Sequence, residues 1–273
     1  MKHRYPLLWL ALHRRRRMLV ALLIGMAVFE TLIVVITVTV SPQEIFAGGG
    51  RQPPGAFKAF SGSTGDVSIA SYPGLLGGGL VHPFWIALQL TVIGSLAAAA
   101  VAADVESGTI ELLMVRPISR NRLLAERTAA LALASVALNA VATAVVAIGV
   151  VLSPRLHQAV SLSGVFVAGL LGLAFTLCLA GPALAVSAAT SRRAYVIGAT
   201  ISFGAVGFAV NFVALAWSKA AGLRFVSPFH YYTPGDALAH GTIPWGSLAV
   251  LTAVGALGTA AAFRLLARRD LAP

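Results

Sequence analysis

The chain has 273 residues, of which 58% are hydrophobic and only 11% are charged, and its formal net charge is +11. Soluble domains carry about 25% charged residues, so this composition excludes an ordinary soluble protein and predicts an integral membrane protein made of packed helices. The positive charge does not require nucleic acid as a partner, because most of it lies on one side of the predicted spans. The single cysteine, Cys178, excludes an intrachain disulfide, and no Cys and His spacing for a metal site is present.

The first 17 residues place six basic residues around a short apolar block. This pattern is typical of an interfacial helix, in which each Lys or Arg near anionic headgroups contributes about 1 kcal/mol. A frayed basic tail is the alternative. The first predicted span, 18–40, has the length that a bilayer requires and carries Glu30 near its middle. An ionisable residue in a span indicates a functional site, whereas a Glu30 that is protonated or hydrogen-bonded to a neighbouring helix would have only a packing role.

A loop rich in Gly, Pro and Ser follows at 41–74. Five further apolar runs predict spans at about 75–103, 128–152, 163–189, 194–217 and 245–266. Glycines and a His-Pro pair near the start of the second span indicate a break before the helix proper. The sequence therefore predicts one bundle of six helices.

Three residues inside these spans are candidates for a transport pathway. Pro182 in the fourth span predicts a kink, since proline removes a helical hydrogen bond, and the kink serves either a hinge or ordinary packing. Asn139 in the third span and Asn211 in the fifth predict hydrogen bonds between helices, or side chains that line a substrate path.

The segment 104–127 is the longest charged interruption, with four acids and four arginines between two apolar runs. It must lie in water, because a central Asp or Arg in a span costs about 2.5 to 3.5 kcal/mol. Ile110, Leu113 and Met114 form one apolar face of a short helix, which begins near Gly108. Pro117 ends this helix, and Ser119 can cap a second helix that continues into the third span.

This segment also carries a family resemblance. Glu106, Ser107, Gly108, Thr109, Pro117, Ser119 and Arg120 resemble the cytoplasmic loop between the second and third membrane helices of ABC-2 type exporter permeases. The resemblance implies an all-α integral membrane protein with six transmembrane helices, an N-terminal interfacial helix over 1–17, and a cytoplasmic coupling helix that docks on a separate ATPase. The coupling residues would be Glu106, Gly108, Thr109, Ile110, Leu113, Met114, Arg116, Pro117, Ser119 and Arg120. A solvated amphipathic loop with no partner is the alternative.

The same resemblance implies partners. Six spans correspond to half of a pathway, so a second permease chain, identical or different, would complete it. ATP and Mg would bind to the two ATPase subunits, because this chain has no Walker A motif and is not itself an enzyme.

Aromatic residues and helix breakers alternate in the segment 218–244, a composition expected in the headgroup zone. Its Ser-Pro-Phe and Tyr-Tyr stretch resembles the region before the last span of those permeases. This implies short re-entrant helices, with Phe229, Tyr231 and Tyr232 near the pathway. An aromatic belt without a gating role is the alternative.

Charge predicts the orientation of the chain. Fifteen of the twenty lysines and arginines lie on the side of the N-terminus, so both termini and the 104–127 loop should be cytoplasmic. The architecture resembles bacterial stand-alone permeases, which implies a bacterial plasma membrane.

The sequence favours the permease subunit of an exporter that moves an apolar or amphipathic substrate, such as a drug, an antibiotic or a lipid. A second hypothesis is a carrier driven by ions or protons. Such a carrier would need several ionisable groups in its spans, and Glu30 is the clear one. An intramembrane enzyme is disfavoured because the chain has no serine-hydrolase or zinc-protease motif.

Overall fold

The computed structural model describes residues 5–42, 62–63, 67–110 and 118–269. These ranges contain helices and turns but no strand. A 3-10 helix covers Ser218–Val226. The α-helices are α1 (Pro6–Arg14), α2 (Arg16–Thr39), α3 (Tyr72–Leu80), α4 (Pro83–Ala98), α5 (Ala102–Glu106), α6 (Arg120–Leu152), α7 (Pro154–Ala159), α8 (Leu162–Ala189), α9 (Arg193–Ala216), α10 (Pro228–Tyr231), α11 (Pro234–His240) and α12 (Trp245–Arg268).

Within the described ranges, six helical segments are long and apolar enough to cross a membrane. They are α2, α3 with α4, α6, α8, α9 and α12. Even a helix of 24 residues extends about 36 Å, which exceeds the roughly 30 Å of a hydrocarbon core. The prediction of a multi-pass, all-helical membrane protein with six spans is confirmed.

Exposed apolar side chains on α2 show how the outer helices meet the lipid. Val20, Ile24, Val28 and Leu32 follow at intervals of four residues and are each more than half exposed. This spacing places them on one face of the helix. In water such a face would promote association, but around a membrane bundle it contacts lipid.

The second span differs from the predicted 75–103 because it is built from separate pieces. It breaks at Val81 and His82, because Pro83 has no N–H to donate. The His82 side chain caps the next piece, accepting a hydrogen bond from the backbone N–H of Phe84 at 3.1 Å. It then ends at Ala98 and restarts after a turn as α5. The glycines and the His-Pro pair thus lie at a real interruption.

The helix that contains the third span begins at Arg120, before the predicted span at 128–152, as a cap at Ser119 predicts. Ser119 has an extended backbone, and its hydroxyl accepts a hydrogen bond from the N–H of Arg122 at 3.2 Å. It is therefore the N-cap of α6, a helix of 33 residues. Nine residues of the charged segment, Ser119 to Arg127, consequently form one rigid body with the third span.

Helix α8 lies at the centre of the bundle. In its most apolar stretch 61% of the residues are buried, against 17% for α2 and α12. Glycines bring α12 close to it: a Cβ on Gly255 would lie 2.7 Å from the carbonyl oxygen of Leu177, and one on Gly258 would lie 2.8 Å from Cδ of Pro182. Pro182 lies inside α8, which continues to Ala189.

An aromatic stack joins the segment after α9 to the core of the bundle. The Tyr232 ring stacks on Phe175 of α8 at 4.5 Å and on Trp85 of α4 at 5.5 Å between ring centroids. Trp85 and Phe175 are fully buried, and Tyr232 is 2% exposed. The chain between α9 and α12 is therefore packed into the bundle at this point.

Candidate functional site

The described part of the 104–127 segment is anchored by a buried ion pair. Arg127 of α6 donates from Nη2 to Oδ2 of Asp104 at 3.1 Å and from Nη1 to the carbonyl oxygen of Ala99 at 2.9 Å. The Arg127 and Asp104 side chains are 4% and 11% exposed. Removing such charges from water is costly unless they are paired, so this geometry fixes the end of the second span to the start of the third.

Two further contacts tie α5 to the fourth and fifth spans. The Ser187 hydroxyl of α8 accepts hydrogen bonds from the N–H groups of Val101 and Ala102, at 3.3 and 3.2 Å. These N–H groups lie at the start of α5 and have no partner within that helix. At the other end of α5, Glu106 accepts a hydrogen bond from the backbone N–H of Arg193, the first residue of α9, at 2.9 Å.

The chain then turns toward the predicted coupling helix. Gly108 has a φ of +68°, a left-handed conformation that favours glycine, and no atom would contact a Cβ there. Thr109 donates to Oδ1 of Asp104 at 3.3 Å, and its hydroxyl lies 2.9 Å from that of Ser107. Ile110 is helical and 4% exposed.

Most of the predicted coupling helix lies outside the described residues, including the candidates Leu113, Met114, Arg116 and Pro117. The chain is described again from residue 118. Beyond Ser119, Arg120 donates from Nη1 to the carbonyl oxygen of Arg269 at 2.6 Å. Arg269 in turn donates to the carbonyl oxygen of Thr190 at 2.8 Å and to the Ser191 hydroxyl at 2.6 Å. Both sides of the segment are thus bonded to other spans.

A second polar cluster lies halfway along three consecutive spans. Asn139 of α6 donates from Nδ2 to the hydroxyl of Thr176 in α8 at 3.1 Å, and its Oδ1 accepts from Nε2 of Gln89 in α4 at 3.4 Å. Thr176 lies 3.2 Å from Oε1 of Gln89. All three side chains are buried. Each of the two amides has a hydrogen-bond partner in a neighbouring helix, so the cluster joins the three helices.

Glu30 is fully buried in α2, and neither carboxyl oxygen has a hydrogen-bond partner among the described residues. Tyr232 lies near it. Burial, and secondarily the Glu30 carboxyl group, raises the pKa of Tyr232 well above its ordinary value. The phenol therefore keeps its proton and donates to the carbonyl oxygen of Leu80 at 3.1 Å. A buried carboxyl group without a partner is costly in a span, which makes Glu30 a functional candidate.

The remaining pathway candidates are not gathered around Glu30 by any described contact. Oδ1 of Asn211 is buried without a partner in the described ranges, unlike the Asn139 amide. Phe229 packs edge-on against Phe175, with 4.8 Å between ring centroids. The Tyr231 hydroxyl donates to the carbonyl oxygen of Phe225 at 3.1 Å.

The candidate site thus consists of an anchored loop, a closed amide cluster and one unpaired acid.

Comparison with protein-family models and with curated proteins finds no match. The assignment of a function to these residues therefore depends on their own geometry and on the resemblance of the charged segment. The anchoring contacts hold helix ends together, so a displacement of the 104–110 chain would move several spans.

Several of these residues were not singled out from the sequence. Gln89 and Thr176 show the signal that identified Asn139, a polar side chain within an apolar run. The ion pair joins residues 104 and 127, which are too far apart in sequence for helical spacing to relate them. Only the fold reveals that pairing.

Proposed function

We propose that this chain is the membrane-spanning permease subunit of an ATP-binding cassette exporter of the ABC-2 type. It would move an apolar or amphipathic substrate, such as a drug, an antibiotic or a lipid, out of the cytoplasm. The residues Glu106, Gly108 and Thr109 at the start of the predicted coupling segment, and Ser119 and Arg120 at its end, support this proposal through their resemblance to the family loop. The six candidate spans supply the membrane domain that such a subunit requires.

The observation that carries the proposal is the anchoring of that loop to four spans. Arg127 holds Asp104 to α6, Ser187 binds the start of α5 to α8, and Glu106 binds the first residue of α9. On the far side, Arg120 reaches the chain just after α12. A partner that pushes the chain beside these anchors would therefore displace four spans together, as an ATP-driven exporter needs.

The partners follow from the same proposal. A separate ATPase subunit would bind ATP and Mg and dock on the coupling helix, and a second permease chain would complete the pathway. Both termini and the 104–127 segment would lie in the cytoplasm of a bacterial cell, because the basic residues cluster on that side.

Site-directed crosslinking tests this arrangement. In a Cys178→Ala background, Ser107→Cys should crosslink to an ABC ATPase subunit that is co-expressed with this chain and restores transport. Gly222→Cys is the matched control: its position is exposed with no atom near a Cβ, and it lies in the segment proposed to face outward. Gly222→Cys should instead react with an impermeant maleimide in intact cells. The proposal is wrong if Ser107→Cys is the residue labelled from outside, or if it contacts no ATPase in an active complex.

A second candidate function is a carrier driven by protons or other ions, favoured by the buried, unpartnered Glu30. Glu30→Gln keeps the shape of the side chain and removes its exchangeable charge. In proteoliposomes, the substitution should abolish uptake driven by a proton gradient if Glu30 carries the proton. Under the exporter proposal, transport driven by ATP persists in the Glu30→Gln variant.

A further inference from the structure

A groove of about 350 Å³ lies where α1 meets the bundle. Apolar side chains from three helices form most of its wall, among them Leu23 of α2, Val92 of α4 and Ala137 of α6. Val92 is 1% exposed, so the groove reaches the buried core of the bundle. Three exposed side chains, Trp9, His13 and Arg16, line the same groove.

Within the described residues, no acid forms an ion pair with the exposed arginines beside the groove. His13, Arg14, Arg16 and Arg17 are all exposed, and α1 and α2 have no acid in their first turns. No described residue forms a hydrogen bond or an ion pair with the Arg16 side chain. Arg15 differs from its neighbours, because its Nε donates to the Ser95 hydroxyl at 2.9 Å.

Two acids that the structure describes near this junction are already engaged. Glu126 accepts hydrogen bonds from the N–H groups of Leu7 and Leu8, at 2.8 and 3.2 Å, and forms an ion pair with Arg122 at 2.9 Å. Asp104 is held by Arg127. No acid in the described part of the chain compensates the arginines at the junction of α1 and α2, which favours an anionic ligand from outside the chain.

We propose that this groove binds an anionic phospholipid, with an acyl chain along the apolar wall and the phosphate against Arg16 and His13. Basic pockets between membrane helices bind anionic headgroups, and tryptophan is enriched where helices meet the headgroup layer. The apolar wall distinguishes a lipid from a free phosphate, which would leave that surface unfilled. The inference is independent of the exporter proposal, since it depends only on the α1 and α2 junction.

Another groove in the bundle provides an internal control. It measures about 660 Å³ and lies between α2 and α6, near the C-terminal ends of both helices. Its wall is mostly apolar and contains one arginine, Arg155. Nη1 of Arg155 already donates to the carbonyl oxygen of Val38 at 3.4 Å. This groove offers apolar surface without the cluster of free cations, so it should show little preference for an anionic lipid.

Native mass spectrometry of the detergent-purified chain tests the proposal with phosphatidylglycerol and phosphatidylcholine of identical acyl chains. The chain should retain phosphatidylglycerol more tightly than phosphatidylcholine by about five-fold or more, since each basic residue near a headgroup contributes about that factor. Arg16→Gln should weaken phosphatidylglycerol binding about five-fold, whereas Arg155→Gln should leave it unchanged.

Ala137→Phe tests the apolar wall with every charge retained. The larger phenylalanine side chain should displace the acyl chain and weaken the binding of both lipids. Glycerol 3-phosphate should not compete with phosphatidylglycerol, because it has no acyl chain. Equal retention of the two lipids, competition by glycerol 3-phosphate, or full phosphatidylglycerol binding by Arg16→Gln would each overturn the proposal. If Ala137→Phe fails to fold, Arg16→Gln decides the matter, since the Arg16 side chain is exposed and supports no described contact.

Discussion

Arg127 and Asp104 form an ion pair with 3.1 Å between Nη2 and Oδ2, and it joins two elements that the charged segment separates in sequence. The same guanidinium binds the carbonyl oxygen of Ala99, the residue that caps the C-terminus of α4. Carbonyl groups at a helix end lack partners in the helix and attract cations. One arginine therefore satisfies both an acid and a helix terminus, which fixes the start of the charged segment in place.

Breaking this pair should destabilise the protein strongly. Asp104→Asn leaves Arg127 buried without its counter-charge, and the expected loss in free energy of unfolding is about 3 kcal/mol. Glu106→Gln is the matched control. Its ion pair with the Arg193 guanidinium is 3.7 Å long and more exposed, and should contribute about 0 to 1 kcal/mol, whereas a Gln oxygen can still accept the hydrogen bond from the Arg193 N–H. Denaturation in detergent, followed by circular dichroism, compares the two variants. Equal losses would show that burial does not strengthen the Asp104 pair.

Close contact between α8 and α12 predicts a second effect. Gly255→Ala would place a Cβ 2.7 Å from the carbonyl oxygen of Leu177, so the helices must separate. We expect a loss of about 1 to 3 kcal/mol, as for other overpacked sites. Gly246→Ala in the same helix is the control, since no atom lies within 4 Å of its Cβ position. Thermal unfolding of the two variants measures the difference, and a Gly255→Ala protein as stable as Gly246→Ala would contradict the close packing of α8 against α12.

The sequence was sufficient to predict the helical class and the six spans, because a run of about 20 apolar residues has few alternatives to a membrane helix. It also identified the Ser119 cap, whose hydroxyl acts on a residue three positions away. The break at Val81 and His82 was indicated by local breakers. These features depend on spacing of a few residues, which a sequence shows directly.

The contacts between spans could not be predicted in the same way. Tyr232 is separated by more than fifty residues from Phe175, on which it stacks, and nothing in either local pattern indicates the other. The aromatic belt and the re-entrant interpretation both fitted the segment 218–244, and composition could not distinguish them. Packing of Tyr232 between α4 and α8 shows only that this part of the segment reaches the core.

The amide cluster predicts a modest stabilisation. Asn139→Leu removes the groups that bind Gln89 and Thr176, and interhelical hydrogen bonds in membranes contribute about 0.6 kcal/mol on average and about 1.7 at most. We therefore expect a loss of about 1 kcal/mol. Thr143→Val is the control, because its hydroxyl donates to the carbonyl oxygen of Asn139 within the same helix. Unfolding in mixed micelles measures the loss of stability in each variant. A loss for Asn139→Leu no larger than that for Thr143→Val would show that the cluster does not join the helices.

His230 gives a prediction about pH. Burial, and secondarily the nearby Arg224, lowers the pKa of His230, so the folded state favours the neutral imidazole. The stability contributed by this group is therefore fully present above the pKa of an unfolded histidine, about 6.5, and decreases as the pH falls below it.

Histidine resonances in ¹⁵N spectra of the protein in nanodiscs measure this effect. Arg224→Gln should raise the pKa of His230 but not restore it fully, because burial is the larger cause and remains. His230→Gln identifies the resonance and should flatten the dependence of stability on pH below about 6.5. Phe225 packs edge-on against the imidazole with 4.9 Å between centroids, so the neutral ring keeps this apolar contact in the Arg224→Gln variant. A His230 resonance that titrates at or above its ordinary pKa in the unmodified chain would contradict the packing of this segment.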